Sequence, residues 1–162
     1  MYDETFMQRA IALSRQALSV PGTEPFGAVI VEDGQIVGEG FNHSGAHFDP
    51  TSHGEIEAIR DACRRLERVV LPRAELYTSC EPCPLCVAAM TITGIRKFYY
   101  AASLEQSGKA LAGVPETMRP SVDITLLRAE AGRGVGERLM PSEQRLGDTA
   151  TSVIAEWAAT RA

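Results

Sequence analysis

Asp33-Gly34 stands between two apolar-rich runs, Phe26–Glu32 and Gln35–Phe41, and this arrangement constrains the fold more than any other feature of the chain. An Asp-Gly pair readily adopts the positive φ angles of a two-residue hairpin turn, so the two runs must lie antiparallel in one sheet. Upstream, Phe6, Ala10, Leu13 and Ala17 recur at intervals of three and four, which predicts an amphipathic helix over 3–19, stopped by Val20-Pro21-Gly22. Downstream, residues 42–52 read as a polar loop holding His43, His47 and Asp49-Pro50. A second helix starts near His53, with Ile56, Ile59, Cys63 and Leu66 on one face. Ala74–Cys80 reads as a buried strand, and Pro84 opens a third helix that Gly94 ends. Ile95–Ala101 and Val122–Ala129 read as further strands, with a helical or irregular stretch between them, and Ser142–Thr160 reads as a helical tail carrying Val153 and Trp157.

The order α-β-β-α-β-α-β-α-β-α implies crossover connections, and hence an α/β fold in which helices cover both faces of a mixed sheet. Without an internal repeat or a linker, the 162 residues read as a single domain over 1–162 with a C-terminal helical tail at about 141–162. The composition, 44% hydrophobic and 23% charged, is that of a globular protein. No apolar run approaches the roughly 18 residues of a membrane helix, and the acidic start MYDETFMQR lacks a signal core. A cytoplasmic setting is therefore expected, where closely spaced cysteines serve metal or catalysis more often than bridges.

Charge argues against nucleic acid as a partner. Lys and Arg total 16 against 21 acidic residues, for a net charge of -5, and Lys97 and Lys109 are the sole lysines. The cluster Arg60, Arg64, Arg65 and Arg68 falls at helical spacing and reads as a solvated helix face. A protein that grips phosphates usually carries a basic face, so a small-molecule substrate is favoured.

Two short stretches carry the chemistry: His53-Gly54-Glu55, and Glu81-Pro82-Cys83-Pro84-Leu85-Cys86. Both fall at predicted helix N-termini. Cys83 and Cys86, three apart across a first turn, can point at one ion, and the positive end of the helix favours their thiolates. His53 adds a neutral third ligand. Two thiolates and one imidazole suit zinc (Zn2+), and three ligands leave the open fourth position that marks catalytic sites. Glu55 lies roughly 200° round a regular helix from His53, so both can serve one site only at the helix mouth. The alternative for Glu55 is a capping box with Ser52. Three further alternatives stand for the cysteines: part of an iron–sulfur run with Cys80, a thiol redox pair, and a closed structural site completed by Cys63 or Cys80. Cys80 itself reads as packed core, and His43 and His47 as solvated.

His-x-Glu followed by Pro-Cys-x-x-Cys is a general signature of zinc nucleobase deaminases. A longer series occurs in the same order: Pro25-Phe26-Gly27-Ala28-Val29, Gly38-Glu39-Gly40-Phe41-Asn42, Asp49-Pro50-Thr51, Ala58-Ile59-Arg60, and Leu76-Tyr77-Thr78-Ser79-Cys80-Glu81-Pro82-Cys83. Together these resemble the guanine deaminase and tRNA adenosine deaminase branch of the cytidine deaminase-like superfamily, over about residues 3–105. The resemblance implies a three-layer α/β/α domain with a central five-stranded mixed sheet, one zinc per subunit and a homodimer. It implies Glu55 as the proton-moving residue and Asn42, Phe26 and Gly54 as substrate-binding residues; Asn42 could instead end the second strand in a turn, and Phe26 could be core. The implied activity is hydrolytic deamination of a free nucleobase or related aminated heterocycle, with guanine the leading compound. Alternatives are a tRNA wobble adenosine deaminase and a non-catalytic, zinc-stabilised binding module. Three departures stand out: Gly54 replaces the usual alanine, taking a methyl from the pocket floor; Gly108–Gly113 shows no acidic residue where guanine deaminases present one; and the tail after Gly132 is unlike either family.

Overall fold

The hairpin forms about Asp33 and Gly34, whose φ angles are 50° and 76°. Strand β1 (Glu24–Glu32) runs antiparallel to β2 (Gln35–Asn42), in the computed structural model that describes residues 1–119 and 122–161. On its other side β1 pairs antiparallel with β3 (Glu75–Cys80), and β3 pairs parallel with β4 (Lys97–Ala102), giving the order β2-β1-β3-β4. A parallel pair needs a crossover, and helix α4 (Pro84–Thr93) lies in the connection between β3 and β4.

The continuous apolar run of β1 follows from burial on both sides. Ala28 and Ile30 pack with Ala58, Ile59 and Ala62 of a second helix (Gly54–Leu66) and with Leu76 and Met90. Val29 and Val31 pack with Met7, Ala10 and Leu13 of α1 (Glu4–Ser14) and with Tyr77. A strand buried on both faces loses the polar alternation of a half-exposed one. Asp3 caps α1 by accepting from the Thr5 amide at 2.8 Å, and a 3-10 turn, Arg15–Leu18, replaces the last turn expected of this helix. The polar loop contains a one-turn helix, α2 (Ser44–His47), and the helix Gly54–Leu66 is therefore α3.

Two expectations are corrected. The sheet has four strands among the described residues, not five. The stretch expected as the fifth strand, 122–129, instead enters a helix, Ile124–Gly132, which follows α5 (Leu104–Leu111) and is α6. Its apolar run is short, and a short run does not distinguish strand from helix; Leu126, Leu127, Arg128, Ala129 and Glu130 all favour helix. The tail helix α7 spans Gly147–Ala159, shorter than the expected 142–160 because Leu146 sits in the left-handed region at φ 54°.

Residues Met1–Ile124 form one compact unit and Thr125–Ala162 another. In the second unit α7 leaves Val153, Ile154 and Trp157 exposed, with the Arg161 guanidinium 4.1 Å from the Trp157 ring centre. No helix of the described residues is long and apolar enough to cross a membrane.

Candidate metal centre and active site

Two helix N-termini meet at the candidate site. His53 is the residue just before α3, in extended conformation (φ −72°, ψ 157°), and Cys83 holds the same position before α4 (φ −73°, ψ 167°). Pro84 suits the first position of α4, where no amide hydrogen is needed. Because His53 lies outside the helix proper, its ring and the Glu55 side chain reach the same space, which a regular helix would forbid.

The ring Nδ1 of His53 lies 3.5 Å from the sulfur of Cys83 and 3.5 Å from that of Cys86, and the two sulfurs are 3.7 Å apart. Tetrahedral zinc, with bonds of about 2.3 Å to sulfur and about 2.0–2.1 Å to nitrogen, would put its sulfurs about 3.8 Å apart and each about 3.5–3.6 Å from the nitrogen. The donor set fits zinc in both chemistry and spacing. Among the described residues these three alone form a group able to hold a metal; Cys63 and Cys80 do not complete it, contrary to the closed-site and iron–sulfur alternatives. Cys86 is fully buried and Cys83 nearly so. Its hydrogen bonds with Cys86 and with His53 pull the Cys83 thiol down to about 4, whereas the bond with Cys83 and burial push Cys86 up. Hydrogen bonding to Cys83 raises His53, with smaller contributions from the charges of Cys83, Glu55 and Glu24.

Glu55 is 5% exposed, and burial raises its pKa above the ordinary carboxylate value. Its Oε1 accepts from the Thr78 hydroxyl at 3.2 Å, and its Oε2 lies 3.4 Å from the Cys86 sulfur. The capping-box alternative does not form. The N-cap is His53, without a side-chain cap, and the Ser52 hydroxyl donates instead to Glu57 at 2.8 Å. The sequence presents Thr78 only as part of the run Leu76–Cys83 and gives it no role, although strand alternation puts it on the same face as Leu76, which packs against α3.

Asn42 ends β2 and is 3% exposed. Its Oδ1 accepts from the Ser44 amide at 2.9 Å, so it does hold a turn, and that bond leaves the side-chain NH2 as a donor. Phe26 is half-buried, and its carbonyl presses on α3: a Cβ built on Gly54 would lie 2.4 Å from that oxygen. The expectation that Gly54 frees space on a pocket floor is thereby corrected. The main chain of β1 already fills that space. We expect Gly54→Ala to cost about 1–3 kcal/mol, the range for inserting a methyl where nothing can yield easily. Thermal melting of the zinc-loaded variant checks this, and an unchanged melting temperature would contradict it.

His43 and His47, expected to be merely solvated, stack on each other at 4.7 Å. They contact the Phe41 carbonyl and the Ser52 hydroxyl at 2.7 and 3.2 Å respectively. The arginine cluster is largely neutralised: Arg60 pairs with Glu57 and Asp49, Arg65 with Asp61, and Arg68 with Glu32. Cys80 is buried, as expected of a core residue.

Two cysteine sulfurs and one imidazole that could hold a metal ion lie with a buried carboxylate at paired helix N-termini, and no further donor joins the group among the described residues; catalytic zinc sites have this pattern of three protein ligands. A family model described as the cytidine and deoxycytidylate deaminase zinc-binding region matches residues 1–102. The chain is 39% identical to guanine deaminase of Bacillus subtilis over 144 residues, covering 89% of this chain and 86% of that one. It is 37% identical to a tRNA-specific adenosine deaminase of Agrobacterium fabrum over 116 residues, 72% of this chain and 76% of the relative. The crystal structure of guanine deaminase from Bacillus subtilis superposes with a TM-score of 0.80 at 34% identity, covering 98% of this chain and 95% of that one. The chain belongs to the cytidine and deoxycytidylate deaminase zinc-binding family, and zinc is its cofactor.

Proposed function

We propose that this deaminase acts on a free purine base or a related aminated heterocycle, with guanine the first compound to try. The observation that carries the reading is the juxtaposition of His53, Cys83 and Cys86, spaced as zinc ligands, with the buried carboxylate of Glu55 beside Cys86. When bound there, zinc supplies an acidified water, lowering its pKa to near neutrality. Glu55 takes one proton from the attacking water and delivers it to a ring nitrogen; it then takes the remaining proton of that oxygen and gives it to the departing amine, which leaves as ammonia as the carbon–oxygen double bond forms. Burial suits it to this work, because it raises the carboxyl above its ordinary pKa and so favours the protonated form that can hand a proton on. The NH2 of Asn42 donates to an acceptor on the heterocycle, Phe26 forms a wall of the pocket, and the backbone at Gly54 helps to orient the ring. A homodimer is part of the same reading, supported by the exposed apolar residues Val87 and Ile92 of α4 and Phe98 and Tyr100 of β4. So is a cytoplasmic setting, which suits four cysteines that are all free.

The second reading, a tRNA wobble adenosine deaminase, is favoured by the likeness to the Agrobacterium protein. Charge weighs against it. The loop 42–52 contains Asp49 and no Lys or Arg, and the arginines of α3 are largely paired with acids. Ammonia release from a panel of free bases and from tRNA separates the readings, and also separates both from a binding module without turnover. For a free base we expect kcat/KM to stay within about twofold as salt rises, whereas a binder neutralising many phosphates would lose about a thousandfold or more in affinity. Efficient deamination of tRNA with free bases inert would reverse the choice.

A further inference from the structure

Phe26 is held from two sides. Its carbonyl meets Gly54, as described, and its ring carries the guanidinium of Arg119 at 5.6 Å from the ring centre, within cation–π range. The same guanidinium donates through Nε to Glu24 at 2.6 Å, across 95 residues of chain. Arg119 ends a tight turn in which the Met118 and Arg119 amides donate to the Pro115 carbonyl at 2.9 and 3.1 Å. Both charged side chains are about one-third exposed or less, 34% for Arg119 and 27% for Glu24, so water only partly screens the pair. The contact therefore ties the turn 115–119 to the beginning of β1, where β1 presses on the N-terminus of α3.

Resting on the deaminase reading, we propose that Arg119 is a positioning residue: paired with Glu24 and stacked on Phe26, it fastens the turn 115–119 beside the active site and fixes the Phe26 ring as a pocket wall. Among the described residues the Arg119 side chain meets Glu24 and Phe26, not the metal ligands or Glu55, so it governs how well substrate is held and leaves the chemical step alone. Glu24 is its counterpart, and loss of either should have the same result. Lysine at 119 keeps a cation that can reach both Glu24 and the ring, although it forfeits the planar stacking of a guanidinium.

The test compares the zinc-loaded full-length protein with Arg119→Met, Glu24→Gln, the double variant and Arg119→Lys. Two quantities are measured: hydrogen–deuterium exchange of peptides covering 25–27 and 115–119, and steady-state kinetics on the best free base. We expect each single substitution to raise exchange in both peptides at least about fivefold while peptides covering Val29 and Leu76 stay unchanged. KM should rise about fivefold with kcat within about twofold, a loss of the size expected for one partly screened ion pair with its ring contact. The double variant should lose no more than either single one, and Arg119→Lys should recover most of the KM. Unchanged exchange would overturn the proposal. So would raised exchange with unchanged KM, which would make the contact purely structural, or a fall in kcat at constant KM. Wild-type protein inert toward every base would overturn the deaminase reading instead; that result appears before any variant is made, and the exchange data judge the fastening by themselves.

Discussion

Glu55→Gln is expected to lower turnover at least about a hundredfold, the usual scale for a general acid–base group, while zinc content and melting temperature stay close to wild type. The separation of the two effects comes from the surroundings of the side chain. Glutamine has the shape of Glu55, and its amide oxygen can still accept from the Thr78 hydroxyl, the bond that Oε1 accepts now. No charge has to be buried, so the 5% exposed site loses nothing it needs for folding. What glutamine cannot do is take a proton from water and give it up again. Activity within a few-fold of wild type would show that Glu55 does not move the protons.

Cys83→Ala and Cys86→Ala should each remove both the metal and the activity. Either change leaves one thiolate and one imidazole, two donors where catalytic zinc sites use three. The protein should also melt earlier than wild type, because zinc that binds the folded state and not the unfolded one stabilises by mass action. Elemental analysis should give about one zinc per wild-type chain and far less for either variant. An iron–sulfur absorption band in freshly purified protein, or full zinc retention by both variants, would contradict the assignment of the ligands.

The parts of this molecule that could be read from sequence are those specified by neighbours in the chain. Asp33-Gly34 needs no distant partner to form its turn, and the hairpin stands where it was expected. Cys83 and Cys86 are brought together by one helical turn behind Pro84, so their spacing indicates a metal or a thiol pair, and His53-Gly54-Glu55 decides for the metal. The joining of His53 to them depends on α3 and α4 meeting, and was legible only because each stretch lies at a helix start. Contacts between distant segments were not legible. Nothing local to Gly54 says that the Phe26 carbonyl fills the place of its absent methyl, and nothing near Arg119 points to Glu24. Ser52 and Glu55 had the right spacing for a capping box, yet the extended residue that begins the helix is His53, one position later. The apolar run in 122–129 failed as a strand for a similar reason: four residues of pattern left the choice to helix propensity further along.

The central claim is that this chain uses the His53–Cys83–Cys86 site and Glu55 to replace an amine with oxygen from water. It is tested most directly by turnover in heavy-oxygen water, following ammonia release and product mass together. The zinc-loaded protein should release one ammonia for each heavy oxygen gained by the ring, from at least one free base, and Glu55→Gln should suppress both signals in parallel. Zinc-loaded protein that releases no ammonia from any base, or releases it without the solvent oxygen entering the product, would contradict the account.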